Sequence, residues 1–573
     1  MNTRPRIQKF DEPLCPRLWI TLSVFFISII ALTPNCFAAD SLRIVELAAP
    51  AQMRLELVSP QRASLQQKAL FQSKLQGVRT HHLVVPTRAS FAPYATSRST
   101  NKQIVRSRNE ALLSDGIAVI DKVPASTRAK MDYNYVSPIA EPSSAIVRDN
   151  IIVTFNWGAI WSSDAGKSFS QLSPFSLFDN PKPALGNEFC CDQAVVYAAS
   201  HDLLIWLMQG SDDNHGNTVR LLFAKGGDIE SRNWKVHDFS PASIGNWTNE
   251  WFDFPDIALT EKNLVVTFNS FRPNQAGYSR SVVLRFPLDQ LASYGSVKVA
   301  AFSSDSSEDF SPRLTHGADG RIFWATHRDE STLVVRSWAD DMAQPDHRRL
   351  VDVERYTLPN DSTVQSSKGP NGKPWLNRLD DRITAGWMTN DTVGFAWSSG
   401  SISASQGGAA YPFAHIRVAI IKKDDLLGDG DSILSPIEQP HIWSSNFATA
   451  YVSAAPNDAG DIGLSLFFGG PKHYPSSAVG VLQRTNQGWR SALTILTKGV
   501  NTPKCPLEKG FNDSCGTWGD YLNIRKNPSN KKEWLVAAQT AQDTGALENP
   551  KVVVSFARFA VKQKPNPEIA TSH

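Results

Sequence analysis

From Pro138 onward the chain alternates short apolar runs with turns at Gly, Asn and Asp, and the alternation recurs. One unit reads SSAIVRDNIIVTFNWGAIWSSDAGKSF, a second DQAVVYAASHDLLIWLMQGSDDNHGNTVRLLFAKG, a third FPDIALTEKNLVVTFNSFRPNQAGYSRSVVLRF. Four more follow, opening at Ser311, Asp380, Thr449 and Gly519. Apolar runs of this length, bounded by turn residues, are strand signals. Each unit gives a strand, a turn, a second strand, and a third with Arg or Lys interspersed. Seven units over residues 138–573 is about 62 residues each, longer than the roughly 40–50 of short propeller blades but following the same logic. A lone meander cannot bury both faces, whereas seven around an axis pack each on the next. The expected fold is therefore all-β, a seven-bladed β-propeller over residues 138–562 with an N-terminal extension. Two stacked β-sandwiches would match the strand content but not the regular spacing. The seventh unit shows only three strands, so its fourth is expected from residues 116–123 (GIAVIDKV), protecting edges that an open ring would expose.

The rest of the chain reads differently. Residues 40–137 form an extension that wraps or closes the propeller. Within it, Ser59-Pro60 resembles a helix start and Gly77 suits the end of that helix. Residues 563–573 read as a disordered tail. At the start, Arg4, Arg6, Lys9 and Arg17 precede an uncharged apolar run, Leu18–Leu32, then Pro34 and the small residues around Ala38-Ala39. This is the layout of a signal peptide over residues 1–39. The run falls short of the roughly 20 residues needed to cross a bilayer, so the mature protein is expected to be secreted or periplasmic, without stable membrane insertion. Export makes Cys505–Cys515 the most economical disulfide, across the short loop CPLEKGFNDSC. The neighbours Cys190 and Cys191 are left either bonded to each other or free.

Composition narrows the partners. The 16 Trp and 29 Phe among 573 residues suit a packed strand-rich interior and exclude a disordered or coiled-coil chain. A net charge of +3 gives no electrostatic footprint for nucleic acid. There is no phosphate-cradling glycine loop, nucleophile elbow or nucleotide fingerprint. A monomer acting on a glycan or polysaccharide, with no required cofactor, is the expectation. Two acidic turns, Asp212-Asp213-Asn214 and Asp429-Gly430-Asp431, are the only candidates for calcium, and neither has the spacing of a defined loop.

The sharpest local motif is Ser162-Ser163-Asp164-Ala165-Gly166-Lys167-Ser168-Phe169, with a degenerate copy at Thr485–Trp489. Ser and Asp side chains can bond local backbone N–H groups, Gly can turn left-handed, and Phe can plug a blade. With the blade pattern, this motif resembles the Asp-box of secreted sialidase-like β-propellers (BNR repeats). The resemblance covers roughly residues 138–560 and implies a site at the mouth of the central channel, where the first strand of each blade begins. Those strands open with Cys191-Asp192-Gln193, Phe254-Pro255-Asp256, Ser311-Pro312-Arg313, Asp380-Asp381-Arg382 and Trp518-Gly519-Asp520-Tyr521.

A sialidase-like site requires arginines for the sugar carboxylate, which a planar guanidinium meets with two parallel hydrogen bonds. It also requires a tyrosine nucleophile with a glutamate base, and an aspartate acid. The resemblance assigns Arg313 and Arg382 to the clamp, Tyr521 to the nucleophile, Glu250 to its base and Asp192 or Asp256 to the acid. Trp251, Trp518, Asp256 and Asp520 would contact substrate. The Phe-Arg-(Ile/Leu)-Pro segment that normally carries the first arginine is missing. Two other readings use the same mouth. A uronic-acid polysaccharide lyase would take its base from His201, His316, His327, His415 or Tyr521. A non-catalytic glycan- or protein-binding propeller would instead expose Trp247, Trp251, Phe252, Phe254, Trp375 and Trp518 as stacking surfaces.

Overall fold

The structure, a computed structural model, describes residues 40–57, 110–113, 117–131, 136–137, 139–211, 216–272, 277–402, 411–428, 430, 432–485, 488–502, 518–542 and 551–562. They form seven sheets of four or five strands, taken up in chain order. The chain is a seven-bladed β-propeller; helices are few and short. The first strands of blades one to seven are Ser143–Val147, Phe189–Ala198, Trp251–Leu259, Arg313–Leu314, Ile383–Met388, Ala448–Pro456 and Asn523–Lys526. Within a blade, neighbouring strands pair antiparallel, as in Leu264↔Phe286 and Leu284↔Ala301 of blade three.

Middle strands such as Leu203–Gly210 and Ile462–Gly470 are buried along their whole length. Both faces of each sheet are covered, which is why these strands read as nearly continuous apolar runs rather than as alternation. The cover is the neighbouring blade. Ile205, Leu207 and Phe223 of blade two pack on Val266, Phe268 and Leu284 of blade three in one continuous core. Equivalent cores join every adjacent pair around the ring. The last of them sets Leu535, Val554 and Phe556 of blade seven against Ile151, Val153 and Ile160 of blade one.

The N-terminal segments lie along outer edges. Ser41–Leu47 pairs with Val297–Ser304 as a fifth strand on blade three, and Ala51–Arg54 pairs with Asn233–Phe239 on blade two. Leu112–Leu113 runs parallel to the last strand of blade six. Ile117–Val123 pairs antiparallel with Lys551–Val561 and supplies the fourth strand of blade seven. The helix expected from Ser59, residues 1–39, the tail from 563, and the Cys505–Cys515 loop all lie outside the described residues. No described helix is long and apolar enough to cross a membrane.

The turn between Gly158–Ser162 and Ser170–Leu172 has the local bonding its sequence suggests. Ser162 Oγ donates to Asp164 and accepts from the Gly166 N–H (2.8 and 2.9 Å), and Asp164 accepts from the Ser168 N–H at 2.9 Å. Gly166 takes φ +87° and Phe169 is buried. The degenerate copy at Thr485–Trp489 falls partly outside the described residues.

Tryptophans set the spacing between blades where a glycine faces them. Trp534 of blade seven donates its indole N–H to the Ala455 carbonyl of blade six at 2.8 Å, and its ring lies flat over Gly463. A Cβ at Gly463 would fall 2.5 Å from that ring, whereas one at Gly320 would meet nothing within 4 Å. Gly463→Ala should therefore cost about 1–3 kcal/mol in a urea melt, the usual range for overpacking a core, while Gly320→Ala stays near wild type. Equal melting of the two variants would contradict the Trp–Gly contact.

Candidate functional site

Where the first strands begin, they converge on the propeller axis, and six of the seven blades deliver a charged or phenolic side chain there. Glu141 precedes the first strand of blade one, Asp192 lies in that of blade two and Asp253 in that of blade three. Arg378, Asp380 and Arg382 come from the segment leading into blade five, Tyr451 from blade six, and Asp520 and Tyr521 from the segment leading into blade seven.

Local backbone irregularity aims several of them. Glu141, Phe254, Ser311 and Tyr451 all have φ between 45° and 61°, a conformation that non-glycine residues adopt at a cost. Strand pairing shifts register between Asp253 and Asp256 and between Ala450 and Ser453. Such bulges redirect side chains beside functional sites.

The contacts form two layers. In the outer layer Asp520 accepts two hydrogen bonds from Arg378 (3.0 and 2.6 Å) and faces Arg382 at 3.5 Å. Arg382 also donates to Asp380 at 2.6 Å. Glu141 accepts from the Asp520 N–H (3.0 Å) and from Asn156 (2.9 Å), while Gln209 donates to Asp253 at 3.0 Å. Asp192 lies against both Glu141 and the Tyr521 phenol. One layer further in, Arg313 pairs with Asp256 at 3.1 Å, and Asp256 also accepts from the Leu314 N–H. Phe254 separates the layers: Arg382 lies 4.1 Å and Arg313 5.5 Å from its ring centre, and Tyr521 meets it edge-on. Arg378 and Asp380 keep partial exposure, as does the bonded pair Cys190–Cys191 immediately before Asp192.

Five carboxyl groups here face two arginines, so the cluster cannot be fully ionised without uncompensated buried charge. Burial, reinforced by Asp192 and Asp520, pushes Glu141 well above the usual carboxyl range. Burial, then Asp253 and Asp520, pushes Asp192 up to about 7. Asp253 and Asp380 are also raised by burial. Asp520 is the exception: burial pushes it up, but Arg378 and Arg382 together hold it below its ordinary value. Burial beside Asp192 keeps the Tyr521 phenol protonated. The resulting arrangement is an ionised clamp at Asp520 and a protonated carboxyl at Glu141, with Asp192 between them, close to half-protonated at neutral pH. The buried Arg382 Nη1 and the Tyr451 and Tyr521 hydroxyls have no hydrogen-bond partner among the described residues, so Tyr521 faces Asp192 without a formed hydrogen bond.

Asp192, Arg382, Asp520 and Tyr521 are thus brought together. Arg313 and Asp256 lie in the inner layer, bonded to one another, with Arg313 5.8 Å from the centre of the Tyr521 ring. Glu250 is elsewhere: it accepts from Ser270, Ser279 and twice from Arg280, which saturates its carboxylate and corrects its assignment as the base for Tyr521. Trp251 and Trp518 are corrected as substrate contacts. Trp518 is fully buried and meets Trp375 edge-on at 6.3 Å, and Trp251 packs on Phe271 in a small core with Phe310. The exposed aromatic ledge is therefore absent at these positions; Trp247 is covered by Arg280. The histidines are scattered. His201 faces Asp289, His327 lies among Tyr356 and Trp397, His415 stacks on Tyr411, and His316 sits at the far end of the channel. Residues 212–215, 429 and 431 of the acidic turns lie outside the described residues. Glu141, Asp253, Arg378 and Tyr451 escaped the sequence reading. Only the Phe252-Asp253-Phe254 context offered a signal, and the bulge that selects Asp253 over Asp256 has none.

No family model matches this chain, and no curated protein matches it. Among solved structures, the α-L-arabinanase of Penicillium chrysogenum, complexed with arabinobiose, is 10% identical over 75% of this chain and 96% of its own, with a TM-score of 0.34. The α-L-arabinofuranosidase Arb93A of Fusarium graminearum is 8% identical over 74% and 94% (TM-score 0.33), and the phage phi92 endosialidase 7% over 80% and 70% (TM-score 0.33). The class rests on the seven sheets themselves.

Because Glu141 and Asp192 are both raised, the folded state holds their protons more tightly than the unfolded chain does. That stabilisation is complete at low pH, below the ordinary carboxyl values, and declines as pH rises above them, the share of Asp192 being lost as pH passes about 7. Wild-type unfolding free energy should fall by about 2–4 kcal/mol between pH 5 and pH 8, at roughly 1.4 kcal/mol per displaced pKa unit. Asp192→Asn should make that slope shallower, leaving the part due to Glu141. An unchanged slope in the variant would remove Asp192 from this role.

Proposed function

We propose that this protein is an exported glycan-acting propeller that hydrolyses an acidic carbohydrate at the channel mouth. The observation that carries the reading is Asp192, a buried carboxyl held near neutrality against Tyr521 and Glu141, with a partner-free Arg382 nitrogen in the same cluster. A group with a pKa near the working pH is suited to moving protons. Tyr521 attacks the anomeric carbon as its proton passes to ionised Asp192 and the glycosidic bond breaks; water then attacks the same carbon, giving its proton to the carboxylate at Asp253, while Asp192 returns its proton to the departing Tyr521 oxygen. Protonated Glu141 holds Asp192 in place. Asp253, at the exposed rim and raised by burial, gives a proton to the leaving oxygen. Arg382 and Arg378 receive the sugar carboxylate in bidentate fashion. Relative to the sequence expectation, the base moves from Glu250 to Asp192 and the second clamp from Arg313 to Arg378. A lyase using histidine has less support, since none of the four candidate histidines adjoins the Arg378–Asp520 pair.

Fluorogenic sialosides and glucuronides, with arabinosides as neutral controls, test the reading. Carboxylated substrates should be hydrolysed. Tyr521→Phe and Asp192→Asn should each lower kcat/KM by ~10²–10⁴-fold, and Arg382→Ala should weaken substrate binding by about 2–5 kcal/mol with folding retained. Unsaturated uronate products would replace hydrolysis by elimination. Binding without turnover, or arabinoside cleavage indifferent to Arg382, would overturn the proposal.

A further inference from the structure

We propose that the opposite end of the central channel is a second ligand site, which takes a small oxyanion on Arg525 and His316. The far ends of six first strands, with His316–Asp319 just past the first strand of blade four, frame a cavity of about 760 Å³ there, from Ala145-Ile146 of blade one to Arg525-Lys526 of blade seven. It is separate from the mouth, because the Arg313–Asp256 pair and the Phe254 and Tyr521 rings fill the axis between the two ends.

Arg525 is the feature that calls for a ligand. Its side chain is more than nine-tenths buried, yet among the described residues no carboxylate lies within ion-pair distance of it. Its hydrogen-bond partners are neutral, and the nearby carboxylate of Asp256 is already paired with Arg313. It donates to the Ile524 and Ile257 carbonyls and to Asn523 at 3.0–3.3 Å, and faces His316 Nε2 at 3.2 Å. Its buried Nε has no partner among the described residues. Burial, despite Asp256 and with Arg313 adding repulsion, depresses the guanidinium to about 10. The same surroundings keep His316 neutral, through burial first and then Arg525 and Arg313. A buried cation without a counter-ion is costly, and an anion in the adjoining space offsets that cost.

The rim supports a small, polar occupant. Lys526 and Lys531 reach the cavity edge and share Asp458 (2.5 and 3.9 Å), so their charge is largely spent, and Asp319 faces Lys423 at 3.7 Å. Asp391 is exposed at the same rim and repels an entering anion. Arg525 therefore supplies the net attraction, and its planar fork suits a phosphate, sulfate or carboxylate.

Calorimetric titration of the full chain with inorganic phosphate, sulfate, acetate and glucuronate, at constant ionic strength in chloride, tests this. Saturable one-to-one binding of at least one oxyanion is expected. Preference for phosphate and sulfate would mark a free inorganic anion, and preference for acetate and glucuronate a carboxylated metabolite. Arg525→Gln should abolish binding at this site, whereas a carboxylate held at the mouth would survive Arg525→Gln and be lost in Arg382→Ala. Asp391→Asn, an exposed change that leaves folding intact, should tighten it roughly 2–5-fold. Neither Arg525→Gln nor Asp391→Asn should alter turnover at the mouth, so this result stands apart from the glycosidase assay. No saturable binding to wild type, or equal affinity in wild type and Asp391→Asn, would overturn the site.

Discussion

The structure depends on closing a ring. Each sheet is apolar on both faces and can bury them only against its two neighbours, so a break at any point exposes two blades at once. The join made last in sequence is between blades seven and one. It is held by Ile117–Val123 lying along Lys551–Val561, with Val123 and Ala125 entering the same core as Phe556 and Ile151. A segment more than 400 residues from its partner thus decides whether the apolar surface of the outermost blades meets protein or water. Hydrogen bonds of the added strand matter less here than the core it covers, since burial scales with the area removed from water while each backbone bond replaces one to solvent.

Ring closure also fixes what happens on the axis. Seven first strands converge, and no blade can withdraw its share without parting from its neighbours. Polar side chains placed there are forced into company they cannot leave. The result is layered: Arg378, Arg382, Asp520, Asp192 and Glu141 at the mouth, Arg313 with Asp256 beneath, then Arg525 with His316 at the far end. Charge balance differs from layer to layer. The mouth has surplus carboxyls and responds by retaining protons, the middle is a matched pair, and the base has a surplus cation. The proposed catalysis uses the layer that must keep protons, and the proposed anion site the layer that lacks a negative charge.

Much of this was legible in the chain. Strand runs at a regular interval identify the blades, because a fully covered strand leaves an apolar run that survives in one dimension. Asp192, Arg382, Asp520 and Tyr521 share a place in their blades, and the fold brings them together. The failures have physical reasons. Glu250 stands only one residue from its blade's first strand, but three hydroxyl and guanidinium partners contributed by other strands claim it. Asp256 aligns by simple counting, yet a bulge advances the register so that Asp253 faces the mouth instead. Trp251 and Trp518 sit in loops that look exposed in sequence, and neighbouring rings bury them. Pairings between distant strands and local register shifts are the two things that a single sequence does not display.

The division of roles between Arg313 and Arg382 follows from the same layering. Both open equivalent strands in adjacent blades, and both lie over Phe254, so sequence position alone makes them interchangeable. Their carboxylates distinguish them. Asp256 is held by Arg313 and by the Leu314 amide, within two buried side chains that solvent does not reach. Breaking that pair leaves a charge with no alternative partner, so its worth is structural. Arg382 shares Asp520 with Arg378 and keeps one nitrogen unused, next to side chains that remain partly exposed. A ligand carboxylate can take that nitrogen without displacing an existing bond. The proposed recognition therefore rests on the arginine whose hydrogen bonds the fold leaves incomplete, and stability on the one whose charge the fold has already answered.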